Sequence, residues 1–317
     1  MEIIPSPTIR VTGTKTRMKD YQETEVKSGI VSLIGPPNVG KSTLLNCLLG
    51  QKISIVSPKP QTTRNRIPGI LNGPDYQVVI LDTPGIHKAS SPLNLEMVKI
   101  AFDSLSEVDV IVFMIDVTFP LPKKIPDAAA CLEKAGKPVI LLINKVDLIP
   151  KERLLPIFKT YEQLYPFKAI IPIAALHGDG ADILLESLLP LLPTGPRLYP
   201  LDIPTDATER FIVAEMIREK IFLLTSQEIP YSTAVTVDRI KENENTNRIT
   251  IHATIYIEKK SQKGILIGKG GSMLKKIGTR ARKDVEELLG AKVNLKLWVK
   301  VQKEWTRDTR FLRELGF

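Results

Sequence analysis

The sequence has 317 residues, a length that suits two domains and supports a hydrophobic core without disulfides or a structural metal. Apolar residues at 43% and charged residues at 25% exclude a disordered chain or a fibre. The two cysteines, Cys47 and Cys131, show no metal-ligand spacing and read as buried free thiols of a reducing compartment. No apolar run is long enough to span a membrane and no secretory signal is evident, so a cytoplasmic location is expected, and the net charge of +9 admits a polyanionic partner.

In chain order, residues 1–27 are polar and mixed in charge and read as a mobile extension. Residues 28–191 carry five apolar strand-like runs, at 29–34, 77–81, 110–115, 139–143 and 169–173. These are apolar throughout rather than alternating, as in a parallel sheet covered on both faces. The segments between them are long enough for crossover helices, which predicts an α/β, doubly wound, mostly parallel sheet. Residues 192–206 include Pro193, Pro196, Pro200 and Pro204 and read as a stiff extended connection. Residues 207–317 then form a smaller α+β domain. The first 27 residues and residues 28–195 each carry a net +1, and residues 196–317 carry +7, with nine Lys or Arg and no Asp or Glu within 259–283.

The first apolar run leads directly into Gly35, Pro36, Pro37, Asn38, Val39, Gly40, Lys41 and Ser42, followed by a helical stretch from Thr43. This is the GxxxxGKS phosphate loop between strand and helix. Its backbone N–H groups and the helix N-terminus face phosphate, Lys41 reaches the β/γ-phosphates and the Ser42 hydroxyl suits Mg²⁺. The second run ends in Asp82, Thr83, Pro84 and Gly85, placing a carboxylate for Mg²⁺ and an N–H for a γ-phosphate. The fourth run ends in Asn144, Lys145, Val146 and Asp147. A carboxylate at Asp147 accepts from N1–H and the 2-amino group of guanine, which adenine cannot offer; that disfavours an ATP-using kinase. All three stretches fall at carboxyl ends of strands, where open α/β sheets bind ligands.

On these motifs the first domain resembles a translation-factor-type P-loop GTPase. The stretch from Ser57 to Arg64, with Pro58, Lys59, Pro60, Gln61, Thr62 and Thr63, is similar to switch I of the bacterial Era GTPases. The resemblance implies GTP/GDP as ligand and Thr63 as the residue completing the Mg²⁺ shell with Ser42 and Asp82, with Thr62 as the alternative. It also implies a base contact from the Ala175 N–H, since Ala174 stands where the family has serine. Ile86 occupies the place where many GTPases have a water-orienting glutamine, and His87 follows it, so slow intrinsic hydrolysis is expected. Relatives with asparagine at the position of Asn38 hold K⁺ against the phosphates, which makes Asn38 a candidate catalytic residue beside Lys41, Thr63 and Gly85.

Beyond the prolines, a helical pattern spans 208–225 and alternating segments span 232–240 and 248–258, joined by a hairpin loop at 241–247. Gly268, Lys269, Gly270 and Gly271 then precede a helix with Leu274, Ile277, Ala281, Val285 and Leu288 on one side and Lys275, Lys276, Arg280, Arg282 and Lys283 on the other. This is the arrangement of a type II KH domain, whose GxxG loop clamps a single-stranded backbone. Gly268 to Gly271, Lys275, Lys276 and Arg280 are the candidate RNA contacts. The last strand, 292–303, turns Trp298 outward among lysines, where it packs on the C-terminal tail or stacks a base. The family resemblance covers residue 28 to the C-terminus and implies a monomer that binds the 3′ end of 16S ribosomal RNA and assists small-subunit assembly. Two alternatives stay open: a constitutive RNA-binding protein with a structural nucleotide site, and a GTPase peripheral to the inner membrane that uses its basic domain on acidic lipids.

Overall fold

The computed structural model describes residues 25–85, 92–119, 131–243 and 248–316, in two compact units that meet in sequence at Asp206 and Ala207. The expectations for residues 1–24, for Ile86 and His87, and for the hairpin tip at 244–247 lie outside the described residues.

The first unit is built on strands β1 (Val26–Ile34), β2 (Ile67–Asn72), β3 (Tyr76–Asp82), β4 (Val110–Asp116), β5 (Val139–Asn144) and β6 (Ala169–Ile173), in the order β2-β3-β1-β4-β5-β6. All neighbours are parallel except β2 and β3. The fully apolar runs have a direct explanation. In β4, Val110, Val112 and Met114 join the core on one face of the sheet, while Ile111, Phe113 and Ile115 join the core on the other. Helices α1 (Lys41–Leu49) and α4 (Ala181–Leu188) cover the first face through Leu44, Leu45, Leu184 and Leu188. Helix α3 (Leu154–Glu162) covers the second, with Tyr161 buried there; α2 (Pro92–Asp103) lies between β3 and β4 in the chain. Strand β2 has no counterpart among the predicted runs, because Pro68 and Gly69 at its centre read as a turn. Strand β1 begins at Val26, inside the stretch read as an extension. Both cysteines are free and only half-buried.

The proline-rich segment is a belt rather than a free connection. Strand β7 (Thr194–Gly195) pairs with the start of β1. Arg197 then donates to the carbonyls of Tyr76, Gly73 and Pro74 at 2.8, 3.1 and 2.8 Å. The Gln77 side chain, fully buried, accepts from Leu198 N and Tyr199 N and donates to the Tyr199 carbonyl. Farther along, Ile70 N donates to the Pro204 carbonyl at 2.8 Å and Thr205 Oγ1 to the Pro68 carbonyl at 2.5 Å, so the segment covers the outer edge of β2.

The second unit runs α5 (Glu209–Leu224), β8 (Thr233–Asn243), β9 (Arg248–Ile257), α6 (Lys260–Ile267), α7 (Ser272–Leu289), β10 (Lys292–Val301) and α8 (Thr309–Glu314). The sheet order is β10-β9-β8, with β10 parallel and β8 antiparallel to β9. Ile249, Ile251, Ala253, Ile255 and Ile257 of β9 face Ile277, Ala281 and Val285 of α7 and Ile217 and Ile221 of α5 in one core. Thr208 caps α5 through Phe211 N. Buried Lys220 pairs with Glu219 at 2.6 Å and with Asp284, which ties α5 to α7.

Candidate nucleotide and nucleic-acid sites

At the carboxyl end of β1 the chain turns through the phosphate loop into α1. Gly40 requires glycine: its φ is +103°, and a Cβ there would lie 2.3 Å from Asn144 Nδ2. Lys41 is buried, and its Nζ donates to the Gly35 and Pro36 carbonyls at 3.1 and 3.0 Å. Burial lowers its pKa from 10.5 to about 8, against the attraction of Asp82.

Three predicted metal ligands converge one residue on. Ser42 Oγ donates to Asp82 Oδ2 at 2.6 Å, and Thr63 Oγ1 lies 2.9 Å from Ser42 Oγ. Ser54, which the sequence did not single out, donates to the same carboxylate oxygen at 2.6 Å. Thr62 is occupied within its own loop, donating to the Lys59 carbonyl at 2.7 Å. Thr63 thus stands at the corner beside Ser42, and Thr62 lines the same cavity. Asp82 is fully buried and its Oδ1 has no hydrogen-bond partner among the described residues. Burial pushes its pKa up, while Ser42, Ser54, Lys41 and Thr63 oppose the rise. A buried carboxylate oxygen without a donor, beside two hydroxyls, is an all-oxygen set that fits a hard divalent cation such as Mg²⁺. Gly85 and Asn38 line the same cavity as Lys41, Ser42 and Thr43, and Asn38 Nδ2 donates to the Pro58 carbonyl at 2.8 Å.

The base end is organised by Asn144, at the end of β5. Its Nδ2 donates to the Val39 carbonyl at 2.6 Å and its Oδ1 accepts from Ala175 N at 3.0 Å. The Ala175 N–H expected to meet the base is thus engaged in bracing Asn144. Lys145 adopts φ 66° and pairs with Asp116, whose carboxylate also accepts from Thr118 N and Oγ1 at 2.9 and 2.6 Å. Asp147 keeps 29% side-chain exposure and lies 3.8 Å from His177 Nε2.

In the second unit the GxxG stretch joins α6 to α7, and Gly268, Gly270 and Gly271 all have positive φ, at 73°, 59° and 78°. A groove beside it is lined by Leu274, Lys275, Thr279 and Arg282 of α7 and by Leu295 and Leu297 of β10. Lys269, Lys276 and Arg280 are exposed, but Lys276 and Arg280 lie outside the lining of that groove.

A family model described as "50S ribosome-binding GTPase" matches residues 30–145, and one described as "KH domain" matches residues 228–306. GTPase Era of Geotalea uraniireducens is 53% identical over 93% of this chain and 99% of its own length, and that of Lactobacillus helveticus is 51% identical over 93% and 98%. Among solved structures, an Aquifex aeolicus Era variant bound to GDP and AlF₄⁻ superposes with a TM-score of 0.88 at 43% identity, covering 92% of this chain and 99% of that one. An Era complex with MgGDPNP and nucleotides 1506–1542 of 16S ribosomal RNA gives the same TM-score, identity and coverage. The chain belongs to the Era GTPase family.

Within this chain, two supporting residues escaped the motifs, and a third, Arg282, lies on the basic side of its helix in the sequence but not among the candidate RNA contacts. Ser54 and Asp116 hold Asp82 and Lys145 from positions remote in sequence, and no local pattern marks either. Arg282 was detectable: Lys275, Thr279 and Arg282 recur at helical spacing, whereas Lys276 and Arg280 fall on the neighbouring stripe.

Proposed function

We propose that this chain is a GTP-hydrolysing switch that binds the single-stranded 3′ end of 16S ribosomal RNA through its GxxG loop and assists small-subunit assembly in the cytoplasm. The observation that carries the reading is the meeting of Thr63 with Ser42 and Asp82. A switch segment that reaches the metal corner can register the γ-phosphate. The Era complex with MgGDPNP and ribosomal RNA supports the choice of ligands.

In this reading Lys41 and the loop N–H groups neutralise charge on the phosphates, and Asp147 selects guanine. Ser42, Thr63 and Asp82 would hold Mg²⁺, which supplies further charge neutralisation between the β- and γ-phosphates. Asn38, with its amide nitrogen held by the Pro58 carbonyl, keeps its side-chain oxygen for a monovalent cation. K⁺ at that oxygen would take the place of an arginine finger, and turnover in KCl should exceed turnover in NaCl at equal ionic strength. Equal rates would remove Asn38 from catalysis.

The deciding experiment compares affinity for a 16S 3′-end oligonucleotide with GDPNP bound and with GDP bound. A clear difference supports the switch, and equal affinities leave a constitutive RNA-binding protein. Among the described residues no helix is long and apolar enough to cross a membrane.

A further inference from the structure

The sheet of the second unit has an outer face, opposite the core that its helices share. One end of that face is covered by the C-terminal segment. Trp305 is fully buried and donates from Nε1 to the Ser232 carbonyl at 2.8 Å, and Phe311 of α8 meets Tyr256 edge-on with centroids 5.1 Å apart. The other end carries a different aromatic group. Trp298 stacks on His252, with centroids 5.1 Å apart and 23° between the ring planes, yet remains 44% exposed. The expectation that Trp298 packs on the tail is thereby corrected, since the tail's Phe311 meets Tyr256 instead.

Register sets what surrounds the pair. Lys296 lies across from His252 and Lys300 across from Tyr256, while Arg239 and Lys241 of β8 lie across from His252 and Thr250. All four cations are exposed. Asp238, at the bulge in β8, is occupied by hydroxyls: it accepts from Thr254 at 2.7 Å and from Thr236 at 3.1 Å. The GxxG groove takes Leu295 and Leu297 from the other side of β10, and Asn294, two residues before Lys296 on the Trp298 side, marks where the groove adjoins this face.

We propose that this open half-face is a second contact surface for single-stranded RNA, on which a base stacks against Trp298 while Lys296, Lys300, Arg239 and Lys241 hold flanking phosphates. The proposal extends the RNA-binding part of the function above and rests on it. A ring of cations alone would be a solvated surface, and a half-exposed indole alone would be ordinary packing. Together they match a ligand that alternates planar rings with negative charges, and aromatic residues on an open sheet face are a general means of holding unstacked bases. An acidic polypeptide offers the charges without the rings.

The test uses the full chain and an oligoadenylate of about 16 nucleotides. Binding is followed by anisotropy of a labelled strand, and stacking by tryptophan emission of the native protein against Trp298→Phe. RNA should quench the emission assigned to Trp298. Lys296→Glu with Lys300→Glu, both on exposed side chains, should remove the quench and weaken binding at least about fivefold. Lys269→Asp with Gly270→Asp should lower total affinity while quenching persists at higher RNA concentration. Unchanged Trp298 emission at RNA concentrations that saturate the anisotropy overturns the second surface and leaves the GxxG reading intact. Equal quenching by polyaspartate, or by phosphatidylglycerol vesicles, also overturns it. No anisotropy change at all removes both readings.

Discussion

Lys41 holds two loop carbonyls inside a buried pocket, and this sets a measurable pH dependence. Its folded pKa of about 8 lies below the 10.5 of an unperturbed lysine. Between those values the unfolded chain binds more protons than the folded one, so stability of the nucleotide-free protein rises with pH there. Phosphates favour the charged amine. Above pH 8, GTP binding should therefore take up a proton, with affinity falling toward about tenfold per pH unit. Calorimetry in two buffers of different ionisation enthalpy reads this directly: uptake at about pH 9 and none near pH 6.5 is the expected pattern. At the base end, Asp147→Asn removes the acceptor for two guanine donors. The change should weaken GTP binding by about tenfold or more and leave ATP affinity essentially unchanged, as a competition assay would show.

At the scale of elements, legibility in the sequence followed locality. The phosphate loop, the Asp82 stretch and the Asn144 stretch are contiguous, each following an apolar run, and the fold brings them to one edge as their order implied. The GxxG loop and its basic helix were legible for the same reason. Strand β2 was not, because its pairing with β3 overrides the turn signal of Pro68 and Gly69. Nor could the prolines of 192–206 reveal that their neighbours Arg197 and Thr205 bind carbonyls more than a hundred residues earlier in the chain. Those contacts give the belt a testable energetic role. Arg197→Ala leaves the Gly73 and Pro74 carbonyls to find water and the Tyr76 carbonyl with only Gly73 N, so chemical denaturation should show a loss of about 1–3 kcal/mol. GTP affinity should change little, because none of the three carbonyls belongs to the nucleotide site.

Across the whole molecule, the +9 charge divides by task. The catalytic unit is near neutral, and the excess lies in the unit that carries the GxxG loop. Attraction to a polyanion is therefore a property of residues 207–317, while nucleotide chemistry depends on a few buried polar groups whose surroundings, rather than net charge, set their behaviour. The two tryptophans divide in the same way. Sequence alternation placed Trp298 outward correctly, but only tertiary contacts show that the C-terminal segment buries its own Trp305 and meets Tyr256 of the sheet.

The belt has a consequence for anyone dividing the chain. The composition suggests cutting near residue 191, where the prolines begin. A fragment of residues 26–191 would lose β7 from the start of β1 and the Pro204 carbonyl that accepts from Ile70 N, baring the outer edge of β2 to other chains. It should self-associate during purification. A fragment of residues 26–206 keeps that edge closed and should elute as a monomer that binds GTP. Size-exclusion chromatography of the two would show that the catalytic unit ends where the belt does.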